Sequence, residues 1–198
     1  MAKKAKLDLY KQHKTEYVAP KTPVLVTIGP ARYLSIEGTG EPGGDAFTAA
    51  IGALYGAAFT IKMTRKFGGK QDYAVAKLEA LWPGDLSLPR AQWSWTLMIR
   101  TPMFVTPAEL KAAIKAQIGK GKPAEIKNVT LDNLREGRCV QMLHIGPYTD
   151  EGRSWEAMER LAHSKGLGFA GPHHEIYLSD PRRVSPAKLR TILRKPVR

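Results

Sequence analysis

The chain has one cysteine, Cys139, in 198 residues. A single thiol builds neither a disulfide framework nor a thiolate zinc site. Its apolar neighbours suit a small buried side chain in a reducing compartment. No apolar run approaches the roughly 18 residues of a membrane span. The basic N-terminus leads into no apolar segment, so no secretory signal is expected and a cytoplasmic location is. Acidic residues are few: 18 against 31 Lys and Arg, a net charge of +13. That excess sits at the ends. Residues 1–22 hold six basic and two acidic residues, and residues 182–198 hold seven basic and none acidic. The stretch between is nearly neutral, with 18 basic and 16 acidic residues. Basic ends attract polyanions without specificity, so the balance argues for solvated termini rather than sequence-reading nucleic-acid contacts. No helix-turn-helix fits before residue 23. The Gly-rich loop 38–44 lacks the Gly-Lys-Ser/Thr ending of a phosphate loop, and Ser154 and Ser164 lack a nucleophile elbow.

What is present is an ordinary globular composition, 43% hydrophobic and 25% charged. Residues 1–22 read as a basic polar lead-in with a helical turn near Leu7–Tyr10. Val24–Ile28 and Arg32–Glu37 read as strands broken at Gly29-Pro30. Asp45 is a candidate cap for a long helix with Phe47, Ile51, Leu54, Tyr55, Ala58 and Ile61 at helical spacing. Strands over 72–82 and 93–100 follow. Thr106-Pro107-Ala108-Glu109 opens a second helix, with a hydroxyl cap, Pro at the first position and an acid in the first turn. A strand over 137–145, a helix over about 150–165, a strand over 173–178 and a final strand before Pro196 complete the chain. The two halves each read strand, helix, strand, strand, and Thr27-Ile28-Gly29-Pro30 echoes His144-Ile145-Gly146-Pro147. An α+β fold is expected: an antiparallel sheet, tandem repeats over about 23–102 and 122–198, pseudo-twofold symmetry and a cleft between the repeats.

Gly171-Pro172 punctuates the start of the 173–178 strand. Period two then puts His173, Glu175 and Tyr177 on one face and His174, Ile176 and Leu178 on the other. A carboxylate beside a tyrosine in mid-strand is costly in a core and useful in a cavity. Tyr73 and Glu79 share a face of their strand, and Trp82 lies on the other. Trp93 and Trp95 share a face of the next, while Tyr55, Tyr148 and Trp155 fall on or beside helices. Aromatic walls with one or two carboxylates suit bulky, aromatic or cationic molecules. His173-His174 invites a metal, but strand neighbours point to opposite faces and no third ligand has a convincing spacing.

Together the Gly-Pro-His-His-Glu-Ile-Tyr-Leu run (171–178), the His-Ile-Gly-Pro-Tyr turn (144–148), the Ile-Glu-Gly-x-Gly loop (36–40) and the Trp93-x-Trp95 segment resemble the GyrI-like small-molecule-binding family, across about residues 23–197. The resemblance implies that Glu175 is the pocket carboxylate, with Tyr177, Tyr148, Trp82, Tyr55, Trp95, Trp155 and Tyr73 as aromatic walls. No organic cofactor and no obligatory metal are expected. The resemblance also implies a stand-alone branch, some of whose members hydrolyse the cyclopropane of DNA-alkylating natural products. Two functions follow: a binder of lipophilic aromatic or cationic compounds, ranked first, or such a hydrolase with Glu175 or Glu79 as general base. The partner expected is a small molecule, with no specific nucleic acid and no membrane.

Overall fold

In the computed structural model, which describes residues 5–198, the strands form one antiparallel sheet. They are β1 (Val24–Ile28), β2 (Ala31–Thr39), β3 (Leu78–Trp82), β4 (Ser94–Thr101), β5 (Thr130–Leu134), β6 (Gly137–Ile145), β7 (His173–Tyr177) and β8 (Arg190–Pro196). Their order across the sheet is β1-β6-β8-β7-β3-β4-β2-β5. The order is symmetric about the junction of β3 and β7. Each half is a strand pair, a helix and a second strand pair, one strand more than the sequence suggests. The extra strands are exchanged: β1 pairs with β6 and β5 with β2. The Thr27–Pro30 and His144–Pro147 segments are therefore not equivalent. The first links two strands, and the second links a strand to a helix.

Short helices α1 (Leu9–Gln12) and α2 (Lys14–Tyr17) precede the sheet; α3 (Asp45–Phe67), α4 (Pro107–Ile118) and α5 (Gly152–Ser164) follow. The cap of α4 forms as its sequence demands: Thr106 Oγ1 accepts from the Glu109 amide while Glu109 reaches back to the Thr106 amide. In α3, Phe47, Ala50, Ala53, Leu54, Ala57, Ala58 and Ile61 are buried. The alanines let the helix axis lie close over Leu34, Ile36, Ala80, Leu97 and Ile99 of the sheet. Its N-cap is Gly44, with Asp45 inside the first turn, and it runs past Ile61 to Phe67. By length and composition alone it is apolar enough to cross a membrane, as the core helix of a globular domain can also be. The sequence pattern understated this, because single Lys and Thr residues interrupt the run. Over the other half, α5 packs Met158 and Ala162 on Val140, Met142 and Leu193.

Gly38 has no side chain because the indole of Trp95 lies across it. A Cβ there would sit 2.2 Å from a ring carbon of Trp95. Gly38→Ala is expected to cost about 1–3 kcal/mol by overpacking, read as a lower midpoint in denaturant. An unchanged midpoint would mean that the indole moves freely.

The second sheet face is covered by the N-terminal stretch, which is packed rather than solvated. Leu9, Glu16, Tyr17 and Ala19 are buried, and Tyr10 stacks on Tyr17 at 3.9 Å. The buried arginines of this sheet face are paired. Arg100 binds Glu16 at 2.5 Å, and Arg194 binds Glu136 at 2.8 Å and donates to the Glu16 carbonyl. The reading of strand over 72–82 shortens to Leu78–Trp82. Before it, only Tyr73 makes a bridge, to Leu7.

Candidate functional site

β7 lies at the centre of the sheet. Glu175 faces Ala80 of β3 and Leu193 of β8, and His173 faces Trp82. These belong to the helix-covered face. Gly171, at φ 65°, supplies the left-handed residue that turns the chain into the strand. Opposite, β6 is followed by Gly146, at φ 143°, whose amide is held by the Leu189 carbonyl. Pro147 follows, and a 3-10 turn, Tyr148–Asp150, brings Tyr148 and Glu151 over β7 ahead of α5. His144 pins that turn. Its Nε2 donates to the Pro147 carbonyl at 3.2 Å, since a carbonyl only accepts, and its Nδ1 meets Ser154 Oγ at 3.0 Å.

The result is a cluster of Glu151, His173 and Glu175 whose donor atoms all lie within 4.8 Å of one another. Glu151 and Glu175 are only 6% and 8% exposed. His173 Nε2 is 3.1 Å from Glu175 Oε1, yet not aligned as a hydrogen bond; it and Glu151 Oε1 are buried without a hydrogen-bond partner among the described residues. The walls are aromatic. Trp155 packs on His173 at 4.0 Å and on Phe169 at 6.3 Å, and Tyr148 meets Tyr177 edge to face at 5.9 Å.

Burial, then the charge of Glu175, pushes the Glu151 carboxyl up to about 9. Burial holds the His173 imidazole below its usual value despite Glu175. Burial and the two carboxylates push the Tyr148 hydroxyl up to about 12, and the Tyr177 hydroxyl is raised too, by burial first and then by Glu175. At neutral pH the cluster thus holds a protonated acid beside a second carboxyl, with two phenols still carrying their protons. The three donors also have the spacing of a divalent-cation site, although His173 and His174 point to opposite faces.

Glu151 sets a stability cost with a definite sign. Unfolded, it ionises near 4.5; folded, it keeps its proton to about 9. Stability therefore falls as pH rises from 4.5 towards 9. Glu151→Gln removes that cost, so the variant is expected to melt above the parent at pH 8 and close to it at pH 4. An equal difference at both pH values would remove the titration argument.

Of the residues singled out from sequence, Glu175, Tyr177, Tyr148 and Trp155 come together here. Trp82 shares the face, opposite His173, and packs on Phe47 and Trp93. Tyr55, on α3, stacks with Phe59 at 6.0 Å. Trp95 and Tyr73 lie in the α3 core, Trp95 against Phe47 and Tyr73 against Phe104. Glu79 is on the other side of the sheet. It accepts from Tyr17 Oη at 2.8 Å and meets His174 Nε2 at 3.0 Å. Its distance from the site follows from register: Ala80, one residue on, is the partner of Glu175. Glu151 escaped the sequence reading because it sits in a helix-start turn with no period to mark it.

A buried acid pair walled by aromatic rings, on an antiparallel α+β sheet, defines a small-molecule-binding domain. The model of the GyrI-like small molecule binding domain matches residues 90–198, and the chain belongs to that family. Among solved structures, an uncharacterized conserved protein from Listeria innocua is 36% identical, with a TM-score of 0.91, 98% of this chain and 100% of that one covered. A hydrolase from Listeria innocua is also 36% identical, at a TM-score of 0.90 with the same coverage. The EcmrR C-terminal domain, 11% identical, shares the fold at a TM-score of 0.58, with 89% and 96% of the two chains covered. No curated protein matches the chain in sequence.

Proposed function

We propose that the protein hydrolyses a bulky, lipophilic, aromatic compound, opening a strained cyclopropane conjugated to a carbonyl. The observation that carries this is the Glu151–Glu175 pair, in which Glu151 keeps its proton to about 9. A carboxyl that keeps its proton beside a second carboxyl forms an acid–base couple. The Listeria innocua hydrolase of near-equal length supports the reading.

Glu175 takes a proton from a water whose oxygen attacks the ring carbon. The ring C–C bond breaks, and its electron pair passes through the conjugated system to the carbonyl oxygen. That oxygen receives the proton of Glu151. Transfer from Glu175 back to Glu151, within 4.8 Å, resets the pair. The product is the substrate plus one water, and ring strain lowers the demand on the catalyst. Tyr148, Tyr177 and Trp155 supply apolar surface for the aromatic body.

A second reading rests on the same carboxyls. Two acids among aromatic rings attract a lipophilic cation by ion pairing and by the ring faces. Such a ligand displaces the Glu151 proton, so its affinity rises with pH towards 9.

The test is mass spectrometry of a cyclopropane-bearing alkylator incubated with the protein, alongside tryptophan quenching. A product heavier by one water supports hydrolysis. Saturable quenching without product leaves the binder, and neither result overturns both.

A further inference from the structure

We propose that the outer face of α3 carries a second ligand site, for an amphipathic anion: an apolar body with a carboxylate-type head. This goes beyond the Glu175 cluster and does not depend on it.

An amphipathic helix on a sheet turns a polar face outward. α3 does not. Beyond its buried face, Phe59 is 51% and Phe67 77% exposed. Only 33% of its most apolar stretch is buried. Exposed apolar surface of this kind marks a binding face. Here it is concave. α3, the end of α4 and the turn Ala124–Asn128 bound a groove of about 810 Å³, within the roughly 300–1,000 Å³ of small-molecule sites.

The floor is kept low by two glycines. A Cβ at Gly52 would meet nothing within 4 Å, and one at Gly56 would meet only Gln117 and Ile126, at 3.7 Å. The walls are Phe59, Met63 and Phe67. The charge is of one sign: Lys120 and Lys122 line the groove, and no Asp or Glu does. Lysine stems extend apolar surface while their ammonium groups stay in water. An apolar trough with two ammonium groups fits an anionic head and a hydrocarbon body. It repels the cations that the Glu151–Glu175 pair attracts. Tyr55, which stacks on Phe59, lines this groove.

The experiment titrates monomeric dodecanoate onto the full chain by calorimetry. Saturable binding of one equivalent is expected. Gly52→Trp, which fills the floor at an exposed helical position, is expected to abolish it. Lys120→Glu with Lys122→Glu is expected to weaken it by at least about ten-fold, and Glu175→Gln to leave it unchanged. Dodecyltrimethylammonium is expected not to compete. No saturable binding, binding that survives both groove variants, or loss in Glu175→Gln would overturn the site. So would a dimer by light scattering that Gly52→Trp converts to monomer, because the face would then be a self-interface. Circular dichroism separates loss of binding from loss of fold.

Discussion

Glu175→Gln is expected to slow water addition by about 10²–10⁴-fold while tryptophan quenching still reports a bound aromatic ligand. The amide keeps the shape of the side chain and cannot take a proton. Stability is not expected to fall, because the substitution removes the charge that, after burial, most raises Glu151. The pH dependence distinguishes chemistry from binding. The parent needs Glu151 protonated, so its rate declines as pH rises through about 9. In the variant the residual rate should decline at lower pH, since Glu151 no longer faces that charge. Turnover from pH 5 to 10 in both proteins is the measurement. A variant as fast as the parent would take Glu175 out of the reaction. A parent rate flat through pH 9 would take Glu151 out of the acid role.

Arg194→Ala is expected to cost about 3–5 kcal/mol of folding free energy, a large share of the roughly 5–15 kcal/mol a domain has. Arg194, 1% exposed, is the buried cation that binds Glu136, Gln141 and the Glu16 carbonyl. Its loss leaves Glu136 with His174 alone. His174 sits between Glu136 at 2.9 Å and Glu79 at 3.0 Å, so both ring nitrogens donate to carboxylates. Burial alone would lower its affinity for a proton, but Glu136 and Glu79 outweigh burial and hold it near about 9. For Glu136 burial acts upward, yet His174 and Arg194 bring it to about 2. The Glu136 contribution is present above its unfolded 4.5 and fades as pH falls towards 2. The His174 contribution is present below its unfolded 6.5 and fades as pH rises through about 9. Between about 4.5 and 6.5 both are whole, so the parent's stability from this network peaks there. Urea unfolding at several pH values measures it. A loss below about 1 kcal/mol in Arg194→Ala would show the charges to be well solvated.

The sequence made some of this legible, and the reasons are local. Thr106-Pro107-Ala108-Glu109 carries its own helix start. Alternation in β7 put His173, Glu175 and Tyr177 on one face because the strand is straight and bounded by Gly171-Pro172. The same alternation misled at Tyr73–Glu79. Its apolar pattern continues past the end of the strand, and only Leu78–Trp82 is paired. Tyr73 therefore enters the α3 core while Glu79 faces the other way. The exchange of β1 and β5 left no mark in the sequence, since pairing partners so far apart along the chain share no period. The N-terminal stretch looked polar because its buried acid, Glu16, is matched by an arginine far along the chain.

That exchange has a consequence for how the chain is made. β8 lies inside the sheet, between β6 and β7, although it is the last of the strands in chain order. β1 must wait for β6, and the Glu16 carbonyl for Arg194, 178 residues later. Closure is therefore non-local and intrinsically slow. A nascent chain leaving the ribosome would hold its unpaired strands and the apolar outer face of α3 open until the last strand emerges. A domain lacking β8 should then aggregate rather than work as a shorter fold.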